Sequence, residues 1–145
     1  MKIMVINGPS INLLGIREKE IYGTCSYQEL IKKIMLWAEE LNIEVECYHS
    51  NHEGDLVDFI HSAYFNKFDG IIINPAAYTH TSIAILDALK AVCIPSVEVH
   101  ISNIDEREEF RKKSFISEVC FKKIIGIGIN GYKKALEAFV ERSKE

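Results

Sequence analysis

A chain of 145 residues, 48% of them hydrophobic and 26% charged, has room for one folded unit with a sizeable core. Its net charge of −4 and the lack of any basic block argue against nucleic acid or an anionic membrane surface as a partner. No apolar run approaches the roughly 20 residues that a bilayer span needs, and the scattered Cys25, Cys47, Cys93 and Cys120 form no Cys-x-x-Cys pair. Free thiols in a reducing cytoplasm are therefore expected, rather than disulfides or a zinc site.

The opening "KIMVI" (2–6) leads straight into polar turn residues. It reads as a first strand, because a secretion signal needs a longer apolar stretch and a cleavage site. The turn that follows, "NGPSINLLG", lacks the Gly-Lys of a phosphate-binding loop. Next comes "GIREKEIYG" (15–23), whose apolar residues keep neither a strand nor a helix period and which holds Arg17 and Tyr22 between two glycines. A phenol ionises near pH 10, so a tyrosine acting as a base at neutral pH needs help. A guanidinium within about 4–6 Å supplies it by favouring the phenolate. On its own, an exposed loop is the simpler reading of this segment.

Ser26 and Glu29 make a capping box for a helix that stripes Tyr27, Leu30, Ile31, Ile34, Ala38 and Leu41 along one face. A second strand, "IEVECY" (43–48), ends in "HSNHEG". His49, His52 and Glu53 have no third ligand at a metal-binding spacing, so turn hydrogen bonds are expected there. Leu56, Ile60 and Ala63 mark the next helix, with His61 on its solvated side.

The third strand, "GIIIN" (70–74), ends at Asn74 and runs into "NPAAYTHTS", which carries His80. Asn7 and Asn74 offer none of the carboxylates that a Mg²⁺ site at these strand ends would want. Asp87 is the odd residue of the following helix (82–92), whose apolar positions run nearly all round. A carboxylate there is either a cap or surface spot, or a charge placed at a subunit interface.

The fourth strand, "SVEVH" (96–100), puts Glu98 and His100 on one face. A carboxylate so placed fixes an imidazole's tautomer and raises its basicity, as a proton donor requires. "KIIGIG" (123–128) is the last strand, before a helix striped by Tyr132, Ala135, Leu136, Phe139 and Val140. Gly126, Gly128 and Gly131 spell G-x-G-x-x-G, but at the end of the chain rather than in the first βαβ unit. Close strand–helix packing is the better reading of those glycines.

Five strands separated by helices imply right-handed βαβ units and an α/β, doubly wound parallel sheet in one domain spanning residues 1–145. Ligands bind such sheets beyond the carboxyl ends of the strands, and every polar cluster above falls on that edge.

With these pieces in place the chain resembles the type II 3-dehydroquinate dehydratases over essentially its whole length. The likeness rests on "NGPSINLLGIREKEIYG", "SNHEGDLVDFIH", "NPAAYTHTSIAILDAL" and "EVHISNIDEREEFR", in the family's order and spacing. Two departures stand out. Ser10 and Ile11 replace the middle pair of the family's N-G-P-N-L-N, with Asn12 read as the functional asparagine that is kept, and His49 replaces a glutamine.

The resemblance implies a flavodoxin-like fold and an anti elimination of water from 3-dehydroquinate, giving 3-dehydroshikimate through an enolate in the shikimate pathway, with no cofactor and no metal. Tyr22 would take the proton from C2 with Arg17 beside its phenolate, and Asn12 would hold a water at the enolate oxygen. His100, oriented by Glu98, would protonate the departing hydroxyl. Asn74 and the backbone amides of Ile101 and Ser102 would hold the substrate carboxylate, while His80, Arg111 and Asp87 would read the ring hydroxyls, Asp87 from a neighbouring subunit. The family's usual assembly is a dodecamer of four trimers. No lysine lies in the strand ends "HSNHEG", "NPAAYTHTS" and "EVHISN", so no imine intermediate is expected. A non-catalytic binding module, and a nucleotide-binding protein using the Gly126–Gly131 turn, are the rival readings.

Overall fold

The computed structural model describes residues 1–145. Five short apolar segments form parallel strands: β1 Lys2–Asn7, β2 Glu44–His49, β3 Gly70–Asn74, β4 Ser96–His100 and β5 Lys122–Ile125. They assemble in the order β2-β1-β3-β4-β5, so the chain reverses its direction of winding at β1, where ligand crevices open in such sheets. Every residue of β3 and β4 is buried, which explains the unbroken isoleucine run of β3 and obliges the polar Ser96, Glu98 and His100 of β4 to find partners inside the protein. β5 lies at the edge and begins with two exposed lysines.

The helices cover both faces. α2 (Tyr27–Glu40) and α5 (Asn130–Ser143) pack on one side through Leu30, Ile34, Tyr132 and Leu136. α3 (Glu53–Phe65) and α4 (Ile83–Val92) pack on the other through Leu56, Ile60, Ile85 and Leu89. None of the helices is long and apolar enough to cross a membrane. Ser26 caps α2 as its sequence pattern requires, its Oγ accepting from the Glu29 amide at 3.1 Å. All four cysteines are unpaired, and burial pushes the Cys47 and Cys120 thiols up to about 12.

Three local differences from the sequence reading have physical reasons. The last strand stops at Ile125, not at 128, because Gly126 and Gly128 turn into the left-handed region at φ +76° and +64°. The loop after β1 contains one helical turn, α1 (Lys19–Tyr22), too short to show a period. α4 is not buried all round within one chain: Ile85, Leu86, Ala88 and Leu89 face the core, whereas Ile83 and Asp87 lie on an exposed face.

The strand ends meet tightly. The Gly8 amide donates to the Asn74 carbonyl at 2.7 Å, and a Cβ at residue 8 would stand 2.5 Å from the Pro75 carbonyl oxygen. Only glycine lets the β1 turn close against the β3 turn. In the second strand-end turn the Ser50 hydroxyl donates to Asp55 at 2.6 Å and accepts from the His52 amide at 3.0 Å. That is the turn bonding anticipated for "HSNHEG", with His52 exposed.

Candidate active site

A cavity of about 190 Å³ opens at the carboxyl ends of β1, β3 and β4. The β1 turn contributes Ser10 and Ile11, and the following loop contributes Arg17 and Tyr22. Asn74 and His80 come from the end of β3. His100, Ile101, Ser102, Arg107 and Arg111 come from the end of β4 and the segment after it. No lysine lines this space.

The phenol of Tyr22 lies between two cations. The Arg17 guanidinium stacks over the ring, 4.3 Å from its centroid, while its Nη2 pairs with Glu18 at 3.0 Å. Arg107, not Arg17, meets the phenolic oxygen, with Nη1 donating to it at 2.8 Å. Sequence reasoning missed Arg107, although it stands four residues before Arg111 in "NIDEREEFR", among the strand-end motifs. An arginine pair at that spacing on the functional edge was the available signal.

His100 is buried, and its Nε2 sits 2.5 Å from Glu98 Oε2. Glu98 is fully buried and accepts from further donors: Ser114 reaches Oε2 at 2.6 Å and Ser117 reaches Oε1 at 2.5 Å. Thr79 backs Ser114 at 2.6 Å. Burial pushes the Glu98 carboxyl up, but the bond and charge of His100 and the two serine hydroxyls outweigh it and hold it at about 2. A saturated, ionised carboxylate so fixed keeps the imidazole in one orientation. His80 is held differently. Its Nδ1 lies 2.7 Å from the Lys113 carbonyl, and burial draws its pKa down, so the neutral ring donates there and keeps Nε2 as an acceptor.

Two sequence-expected residues do not reach the cavity. Asn12 sits in a single helical turn (Ile11–Leu13) that buries Ile11 and leaves Asn12 exposed. Ser10, held at φ +68°, lines the cavity in its stead. Asp87 lies on the exposed face of α4, outside the cavity lining of its own chain.

The chain matches the Dehydroquinase class II family over residues 1–140. It belongs to that family. It is 58% identical over 144 residues to a 3-dehydroquinate dehydratase of Clostridium perfringens, covering 99% of this chain and 100% of that protein. Identity to a 3-dehydroquinate dehydratase of Caldicellulosiruptor bescii is 60% over 140 residues, 97% of each chain. A solved type II dehydroquinase from Butyrivibrio crossotus superposes with a TM-score of 0.95 at 55% identity, covering 97% of both chains.

Beneath the cavity of this class II dehydroquinase lies a buried polar network. The Tyr132 hydroxyl donates to Asn7 Oδ1 at 2.6 Å and accepts from Asn74 Nδ2 at 2.9 Å. Asn74 Oδ1 takes the Ala76 amide at 3.1 Å, so the side-chain amide cannot flip without breaking both contacts. Burial raises the Tyr132 pKa far out of reach, so it stays a phenol. Beside Asn7 on the neighbouring strand, His49 stacks against Tyr27 at 5.5 Å, and burial lowers its pKa. Neither His49 Nε2 nor Asn7 Nδ2 finds a partner within the protein.

Replacing Tyr132 by phenylalanine strips a donor from Asn7 and an acceptor from Asn74. The expected loss is about 2 kcal/mol in urea denaturation, with KM raised severalfold as Asn74 loses its fixed orientation. A variant as stable as the parent, with unchanged KM, would show that the network supports neither.

Proposed function

We propose that this class II dehydroquinase takes 3-dehydroquinate to 3-dehydroshikimate by anti elimination of water, a step of the shikimate pathway. A base and an acid, each with its own partner, face one cavity, and that single observation carries the reading. Tyr22 takes the proton at C2, which is acidic only through the adjacent ketone, so a strong base and a preorganised enolate site are both required. Arg107 donates to the phenolic oxygen and Arg17 stacks on the ring, so two guanidinium groups stand beside that base. His100, fixed by Glu98, gives its proton to the hydroxyl leaving C1.

Asn74 and the amides of Ile101 and Ser102 hold the substrate carboxylate, and His80 and Arg111 take the ring hydroxyls. Asn12 faces out of the cavity and takes no part within its own chain. The exposed face of α4 supports a homo-oligomer, the family's four trimers, in which Asp87 enters a neighbour's cavity. The unpaired thiols suit a reducing cytoplasm. The amides of Gly126 and Gly128 are occupied by backbone carbonyls, which weighs against a nucleotide phosphate at that turn.

The direct test adds 3-dehydroquinate to the purified protein and follows the absorbance of the conjugated enone. Steady enone formation is expected. Binding without turnover would leave only the non-catalytic module.

A further inference from the structure

The G-x-G-x-x-G sequence at 126–131 takes no part in the chemistry proposed so far, yet it lies against the residues that end β4. The Gly126 amide is shared between the carbonyls of His100 at 3.3 Å and Ser102 at 3.2 Å, and the Gly128 amide reaches the carbonyl of Ile101 at 3.2 Å. Three consecutive carbonyls are thus drawn to the β5 side. A trans peptide is planar, with its N–H opposite its C=O, and the chain has no cis peptide. Drawing the carbonyls of His100 and Ile101 toward β5 therefore turns the amides of Ile101 and Ser102 the other way. That is the β3 side, where Asn74 ends its strand. Neither amide donates to any group in the protein, and both residues line the cavity.

We propose that the Gly126–Gly128 turn is the positioning element of the carboxylate site: by holding the carbonyls of residues 100–102 it aims the Ile101 and Ser102 amides at the substrate's carboxylate. This rests on the dehydratase reading above. Two aligned amides beside the Asn74 amide form a concave set of donors that suits a carboxylate. The conformation depends on glycine at residue 128 for its backbone alone. Its φ is +64°, but a Cβ there would meet nothing within 4 Å. Gly131 serves the packing, since a Cβ there would press on Val99 at 3.2 Å. The motif thus divides its work between holding the cradle and seating α5.

The open space at Gly128 makes the test clean. Asparagine enters the left-handed region readily and a β-branched residue does not. Gly128→Val is expected to raise KM for 3-dehydroquinate about tenfold, with kcat within about threefold of the parent. Gly128→Asn should restore KM to within about twofold. The preference for the substrate analogue bearing a carboxylate over its carboxamide should shrink in Gly128→Val and return in Gly128→Asn. If Gly128→Val does not fold by circular dichroism, Gly128→Ala is read by the same criteria. A folded variant with the parent's KM, or one that loses carboxylate and carboxamide equally, overturns the proposal. Absence of turnover in the parent overturns the dehydratase reading instead, and carboxylate-over-carboxamide binding still decides the role of the turn.

Discussion

Phenylalanine in place of Tyr22 is expected to lower kcat on 3-dehydroquinate by about 10³-fold, the scale of a lost general base. KM should change little, because the groups proposed to hold the carboxylate sit at the ends of β3 and β4 and not on the Tyr22 loop. The two arginines should then separate. Arg107 donates to the phenolic oxygen at 2.8 Å, whereas Arg17 stacks on the ring and shares its charge with Glu18. Arg107→Ala should therefore cost more than Arg17→Ala, and neither loss should add to Tyr22→Phe in a double mutant, since groups acting as one unit do not. Steady-state kinetics of the five variants, with a binding assay for a carboxylate ligand, decide it. Near-parental turnover in Tyr22→Phe would mean that another residue is the base.

The contrast between these arginines shows where sequence reading stopped. The sheet was legible because short β-rich runs alternate with segments of helical period, and the edge rule then placed every polar cluster at one end of it. Glu98 and His100 were legible for the same reason, as the strand alternation fixes where side chains point. No such rule holds beyond a strand. Arg107 and Arg111 both lie on an irregular segment, and spacing there cannot say which one turns toward Tyr22. The β1 turn misled for a related reason. Ser10 takes a left-handed φ and Ile11 plugs the core, so the asparagine that matched the motif by its letters faces out. Asp87 remained ambiguous because a single chain's pattern shows that a helix is apolar all round, not whether a neighbouring copy covers its outer face. The donors that saturate Glu98 were invisible, since Ser114 and Ser117 lie 16 and 19 residues away and nothing in the linear pattern links them.

Those donors make Glu98 the second site of large effect. Glu98→Gln keeps the shape but removes a buried charge from His100, so kcat should fall about 10²-fold as the acid loses its anionic partner. At neutral pH the variant should also be less stable by about 3 kcal/mol, because an amide cannot accept all the bonds that His100, Ser114 and Ser117 give the carboxylate, which leaves buried donors unpaired. The pH dependence has a definite sign. The folded-state carboxyl, at about 2, lies below the roughly 4.3 of an unfolded glutamate. Its stabilisation is therefore complete above that value and drains away as pH falls toward 2. Glutamine has no such titration. The gap in urea midpoint between parent and variant should be wide at pH 7 and narrow steadily below about pH 4.5. If the two midpoints stay parallel down to low pH, Glu98 is not held ionised by His100 and the serine hydroxyls, and the acid half of the site must be redrawn.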